Sequence, residues 1–259
     1  MIRTLFIIAG AALVLCAVTV GGALAIGGND LARHGWAWTI QDRDGQNIRI
    51  ERIRGGGTDD LGPVVTRTLA WTGGDALVID DSIDVEYVQG DQAGVVVTGP
   101  RGLADRVRLD GGRLSLGEGD ERVVFGWDSG NLSARSERDE LKVVVTAPSV
   151  KRFELNGSQH LSIVAYDQPT LAIALSGSGE IEATGRTDSL DLNLSGSGEA
   201  DMDGLAVRDA AVSVSGSGDV RVGPTGAADI AIAGSGDVDL TSRPAGLNTS
   251  VSGSGEIHQ

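Results

Sequence analysis

The hexamer LSGSGE stands at Leu175–Glu180 and again at Leu194–Glu199. VSGSGD follows at Val214–Asp219, IAGSGD at Ile232–Asp237 and VSGSGE at Val251–Glu256. The Gly-Ser-Gly units begin at Gly177, Gly196, Gly216, Gly234 and Gly253, in steps of 19, 20, 18 and 19 residues. A degenerate unit, Gly157-Ser158-Gln159, lies 20 residues before the first. A nearly fixed period with strand-like alternation inside it marks a β-solenoid, in which each period is one coil of a helical wrap.

The residues around the motif fall into columns. Leu175, Leu194, Val214, Ile232 and Val251 stand just before it, and Ile173, Leu192, Val212, Ile230 and Thr249 two residues earlier. Leu171, Leu190, Ala210, Ala228 and Leu247 come two earlier again. Past the motif stand Ile181, Ala200, Val220, Val238 and Ile257, with Ala183, Met202, Val222 and Leu240 continuing the same side. A strand sends alternate side chains to opposite faces, so these columns are expected to point inward. Like would stack on like in coils about 4.8 Å apart. A narrow aliphatic interior also accounts for an aromatic content of only 3%.

The motif itself reads as a corner. Gly177 and Gly179, Gly196 and Gly198, Gly216 and Gly218, Gly234 and Gly236, and Gly253 and Gly255 are its glycines. They are assigned to sharp turns, where positive φ or a close approach excludes a Cβ. Changing Gly196 or Gly198 should therefore destabilise the domain.

An acid follows each motif, at Glu180, Glu199, Asp219, Asp237 and Glu256. Glu182, Asp201 and Asp239 form part of a second acidic column, interrupted by Arg221. Stacked carboxylates repel, and a bound calcium ion would relieve the repulsion. A solvated acidic face predicts the same pattern. Calcium is therefore an alternative, and no other cofactor is implied. Phosphate cradling by the glycines would need a strand–loop–helix context, which is missing. Paired carboxylates also admit a carbohydrate-active β-helix, in which Trp71, Trp127 or Tyr166 would line a deep cleft with converging acids. His34, His160 and His258 are too scattered to form a triad or a metal site, and no nucleophile-elbow motif occurs. No catalytic residue is assigned.

The formal net charge of −15 leaves no basic stripe for nucleic acid. At the other end of the chain, Arg3 precedes a run without charge from Thr4 to Gly28. Residues 1–28 read as either a cleaved signal ending near Ala23-Leu24-Ala25 or a retained transmembrane anchor, and either one exports the remainder. The membrane is thus a partner through residues 4–28 if the segment is uncleaved. Cys16, the single cysteine, lies in this run in a context that fits a lipoprotein cleavage box poorly.

Residues 29–62 are polar and read as a tether, with Trp36 and Trp38 placed either at the membrane interface or at the start of a short strand. Residues 63–259 form the head domain. Within it, 63–150 hold opening strands and 151–259 the repeat coils. Leu77 and Ile79, Ile83 with Val85 and Tyr87, Val95 and Val97, Val107 and Leu109, and Leu114 and Leu116 alternate in twos. Residues 117–139 break the rhythm as an excursion, with a hairpin expected around Val123-Val124-Phe125. No helix is expected after residue 29.

Three stretches resemble one known family. They are LKVVVTAPSVKRFELNGSQHLSI (Leu141–Ile163), the series beginning LSGSGEIEATG (Leu175–Gly185), and IDVEYVQGDQAGVVVTGP (Ile83–Pro100). Together they make residues 65–258 resemble the "putative auto-transporter adhesin, head GIN domain" family of bacterial envelope proteins. Gln159 and His160 depart from the pattern where other coils carry Gly and an acid, and the 117–139 excursion is longer than the family pattern implies. The resemblance implies an exported, all-β, solenoid-like domain and brings no catalytic residue. The expectation is a non-enzymatic cell-envelope protein, in the periplasm or at the surface, that presents its solenoid for adhesion or scaffolding to an envelope or surface ligand. A calcium-stabilised repeat and a polysaccharide-binding or carbohydrate-active β-helix are the alternatives.

Overall fold

A computed structural model describes residues 37–41, 47–52, 62–119, 121–128 and 131–259. The segment 1–28, with Cys16, and also His34 and Trp36 lie outside the described residues. Among the described residues no helix is long and apolar enough to cross a membrane.

The chain divides into two compact units. One holds a four-stranded sheet in the order Ala37–Gln41, Asn47–Arg52, Glu121–Asp128 and Asn131–Ser136. Its first two strands are antiparallel, with Trp38 opposite Ile50 and Ile40 opposite Ile48. The stretch read as a tether therefore holds two strands. Trp38-Thr-Ile40 and Ile48-Arg-Ile50 each alternate in twos, a strand signal that the surrounding polarity obscures. The 117–139 excursion supplies the other two strands, with Val123 opposite Ser136 and Phe125 opposite Ala134. The Asn47–Arg52 strand joins this hairpin in parallel, Ile50 beside Val123.

The second unit, Gly62–Gly119 with Glu137–Gln259, contains the β-solenoid. Each coil has three faces. The motif face carries the residues leading into Gly-Ser-Gly. Its ladder runs Leu77, Phe153, Ile173, Leu192, Val212, Ile230 and Thr249. The acid face follows the motif and stacks Val85, Leu161, Ile181, Ala200, Val220, Val238 and Ile257. A short third face closes the coil, with Gly185 beside Tyr166 on one side and Leu205 on the other. All coil-to-coil pairings are parallel.

The interior is aliphatic. Ile173, Leu192 and Val212 are adjacent in the ladder and 3% exposed or less. Each such side chain contributes roughly 1.5–3 kcal/mol by leaving water. Three aromatics pack together inside the first coils. Tyr87 meets Phe153 edge-on at 5.1 Å between centroids, and Phe153 meets Tyr166 at 6.5 Å. The Tyr87 hydroxyl donates to the Ala147 carbonyl and that of Tyr166 to the Thr170 carbonyl. Burial pushes both phenols above their ordinary pKa.

The opening strands close one end of the stack. The Asp84–Gln89 strand continues the acid face and pairs in parallel with Lys142–Ala147. That strand in turn pairs antiparallel with Gly94–Pro100. One helical turn, Arg101–Ala104, plugs the interior with fully buried Leu103 and Ala104. The turn was not expected from sequence. Four residues following Pro100 are too few to display a helical period.

Candidate functional site

The feature repeated most often is the corner between the motif face and the acid face. Gly196 has φ +127°, a conformation that L side chains rarely adopt, and a Cβ there would lie 2.2 Å from the Gly177 carbonyl oxygen. Gly198 has no such φ, yet its Cβ would lie 2.5 Å from the Gly179 oxygen. The corners are stitched to one another through the same carbonyls. Ser197 N–H donates to Gly177 O at 2.9 Å, Ser217 N–H to Gly196 O at 2.8 Å, and Ser235 N–H to Gly216 O at 2.8 Å. The glycines thus let a backbone donor of one coil reach the corner carbonyl of the coil before it. Gln159 fills the equivalent place in the first coil. It is 1% exposed, and its Nε2 donates to the Ile79 carbonyl at 3.0 Å.

The acids that follow the motif are in register across the coils, His160 beside Glu180, Glu180 beside Glu199 and Glu199 beside Asp219. Their chemistry divides by length. Where the earlier coil carries Asp, its carboxylate accepts the next backbone N–H. Asp84 takes that of His160 at 3.2 Å, Asp219 that of Asp237 at 3.1 Å, and Asp237 that of Glu256 at 2.8 Å. Where the earlier coil carries His or Glu, the N–H goes instead to a backbone carbonyl. Glu180 N–H donates to Gln159 O, Glu199 N–H to Gly179 O and Asp219 N–H to Gly198 O. Aspartate has the one side chain in this column short enough to cap the neighbouring coil. The column is therefore partly a coil-to-coil clamp, a role that simple charge counting missed. The change from Glu to Asp within the column, at Asp219 and Asp237, is the signal that could have found it.

Several other charged groups pair locally. Arg221, which interrupts the second acidic column, reaches Asp201 at 3.1 Å. His160 lies 3.6 Å from Glu180, and His258 lies 3.7 Å from Glu256. Among the described residues no group of three His, Cys, Asp or Glu side chains is arranged to hold a metal ion. The candidate calcium column is a ladder of carboxylates, exposed at Glu180, Glu199, Asp219 and Glu256 and half-buried at Asp237.

Two hollows among the described residues are open to solvent. One of about 280 Å³ lies on the outer motif face, where small Ala211 and Ala231 are flanked by Asp191, Asn193, Asp229 and Asn248. Another of about 350 Å³ lies by the short face, where Arg186 holds Asp167 through two bonds of 2.7 and 2.8 Å. That guanidinium keeps the Asp167 carboxyl below the usual carboxylate range. Tyr166, a candidate cleft aromatic, is a core residue at 1% exposure. It lies inside because its strand shifts register between Ile163 and Tyr166. Trp71 is half-buried and packs against the core. The side chain of Trp127 lies outside the described residues.

Fold and corner together define a β-solenoid repeat protein with regular outer faces. The chain belongs to the "putative auto-transporter adhesin, head GIN domain" family, whose model matches residues 75–244. Among solved structures, a "putative adhesin" from Bacteroides fragilis NCTC 9343 is 15% identical. It aligns over 80% of this chain and 99% of its own, with a TM-score of 0.56. A "putative lipid binding protein" from Parabacteroides distasonis ATCC 8503 is 22% identical over 80% of this chain and 98% of its own, with a TM-score of 0.44. A "putative adhesin" from the same strain is 14% identical over 80% and 99%, with a TM-score of 0.48. These likenesses concern the fold. No curated protein matches the chain.

Proposed function

We propose that this is a non-enzymatic cell-envelope protein whose solenoid presents an extended surface for adhesion or scaffolding. Family membership over residues 75–244 is the observation that carries the reading. The regular outer faces of the coils agree with it, since a flat partner needs area. The uncharged run from Thr4 to Gly28, preceded by Arg3, supplies the export signal or anchor on this reading. The ligand is a component of the envelope or of a facing surface.

Two measurements test the proposal. A reporter enzyme fused after Gln259 should be active only outside the cytoplasm, and cytoplasmic activity would sink the envelope assignment. Pull-down from envelope extracts should then retain a defined component on the wild-type chain. Retention should fall when Asp191, Asn193 and Asp229 on the outer motif face are replaced by Lys. Retention unaffected by those changes would move binding off this face.

A further inference from the structure

The four-stranded sheet has two unlike faces. Alternate residues of a strand share a face, and paired residues of neighbouring strands share it too. Trp38 and Ile40 stand opposite Ile50 and Ile48. Ile50 stands beside Val123, and Phe125 and Trp127 follow on the same face. Ala134 and Leu132, opposite Phe125 and Trp127, complete it. The only charges on this face are Arg52 and Glu121, each at the end of its strand. The other face is mainly polar and carries Thr39, Arg49, Glu51, Arg122, Ser133 and Arg135.

A single layer of strands with one apolar face requires a cover. Among the described residues of this unit there is no helix and no further strand to provide it. The sequence points to lipid. The uncharged run Thr4–Gly28 ends only eight residues before the strand Ala37–Gln41. Eight residues reach about 30 Å at most, so a span in the bilayer holds the sheet within that distance of its surface. The apolar face also places Trp38, Phe125 and Trp127 together in a chain that is only 3% aromatic. Trp is favoured at the head-group level, where its ring leaves water and its N–H stays hydrated. The charge agrees. The four strands carry Arg49, Arg52, Arg122 and Arg135 against Glu51, Glu121 and Asp128, a net of +1 in a chain of −15. The sheet thus escapes the repulsion that an anionic surface exerts on the acidic coils.

We propose that the apolar face of this sheet rests in the lipid interface beside the span. The inference rests on reading Thr4–Gly28 as a retained anchor, and goes beyond that reading by giving the sheet a partner of its own. Strands about 4.8 Å apart and of this length cover a patch roughly 20 Å on a side. Seated in this way, the strands lie in the plane of the membrane. The face with Arg49, Arg122 and Arg135 is left to water, and Arg52 and Glu121 fall at the margin of the patch. Two amphipathic elements would then hold the protein to the bilayer, one crossing it and one lying on it.

The test uses the full-length chain. The intact mass of the chain extracted from its native envelope should include residues 1–28. Their absence would overturn the anchored reading and this inference with it. For the sheet itself, the chain is reconstituted into vesicles of phosphatidylcholine with a minority of phosphatidylglycerol. The variant Trp36→Phe/Trp71→Phe leaves Trp38 and Trp127 as the emitters. Phosphatidylcholine brominated near the head-group end of its acyl chains should quench that emission by about half or more, because interfacial indoles sit at that depth. Unquenched emission from a chain that keeps its span would overturn the inference alone. The two faces are then resolved in a Cys16→Ser background, with a fluorophore on single cysteines. Ile40→Cys and Val123→Cys should be quenched, whereas Thr39→Cys and Arg122→Cys, one residue away on the other face, should not. Equal quenching on both faces would refute seating, since the sheet would then be near lipid without facing it. The tryptophan measurement leaves the sheet unaltered, so it decides the matter even where a cysteine variant misfolds.

Discussion

The Oδ1 atom of Asp237 accepts the backbone N–H of Glu256 at 2.8 Å, so a side chain of one coil caps the main chain of the next. Asp237→Asn keeps an acceptor oxygen at the same reach and should leave stability nearly unchanged. Asp237→Ala removes it and should cost about 0.5–1.5 kcal/mol, the net worth of one such bond. Asp237→Glu should resemble Ala, because the glutamates in this column leave the next N–H to a backbone carbonyl. Urea denaturation of the three variants checks the ranking, and equal midpoints for Asn and Ala would remove the clamp from the account.

The corner makes a second prediction. Gly196→Ala places a Cβ 2.2 Å from a backbone oxygen at φ +127° and should destabilise by about 2 kcal/mol or more. Gly74→Ala is the control, since a Cβ there meets nothing within 4 Å. It should be neutral, or stabilising by up to about 1 kcal/mol through the unfolded state. Thermal melts that fail to separate the two would contradict the corner geometry.

Three adjacent residues test the alternation. Leu192 is fully buried between Ile173 and Val212, while Asp191 and Asn193 face outward. Leu192→Asp would bury a charge among aliphatics and should unfold the C-terminal coils. Leu192→Ala should cost about 2–5 kcal/mol. Asp191→Lys and Asn193→Lys should each change stability by about 0.5 kcal/mol or less. Circular dichroism melts of the four variants give the comparison.

Asp80 supplies a pH dependence. Burial alone would raise its pKa, but the hydrogen bonds from Arg113 and Asn156 and the Arg113 charge outweigh burial and hold it below the ordinary value. A depressed folded-state pKa gives stability that is present above the unfolded value and is lost as pH falls through the folded one. Between pH 5 and pH 2.5 the wild type should therefore lose more stability than Asp80→Asn, with no added difference between pH 6 and pH 8. Parallel slopes at acid pH would dismiss the Asp80 contribution.

The motif and acid faces were legible because Leu, Ile and Val recur at a nearly constant offset from each Gly-Ser-Gly unit. The short face was not. Its ladder shifts register between Ile163 and Tyr166, Glu182 and Gly185, and Met202 and Val207, and its column of Tyr166, Gly185 and Leu205 is interrupted by a glycine, so no continuous aliphatic column marks it. The aromatic stack escaped for a related reason. Tyr87, Phe153 and Tyr166 come from three different faces or coils, and their meeting depends on how the coils close. Trp36 and Trp38 admit two readings because five residues in a polar stretch carry little periodic signal. The Asp-to-backbone clamp needed coordinates, since it turns on the reach of one methylene.

The Ser-to-Gly bonds at the corners run along the stack, from one coil to the next, and the strands lie across it. A pull on the C-terminal end would therefore load the outermost coil alone, breaking its bonds one after another while the rest stay at ease. Each released coil of 19 residues pays out about 60 Å of chain. Under such a load the domain would lengthen in steps, one coil at a time, and dissipate work at each step.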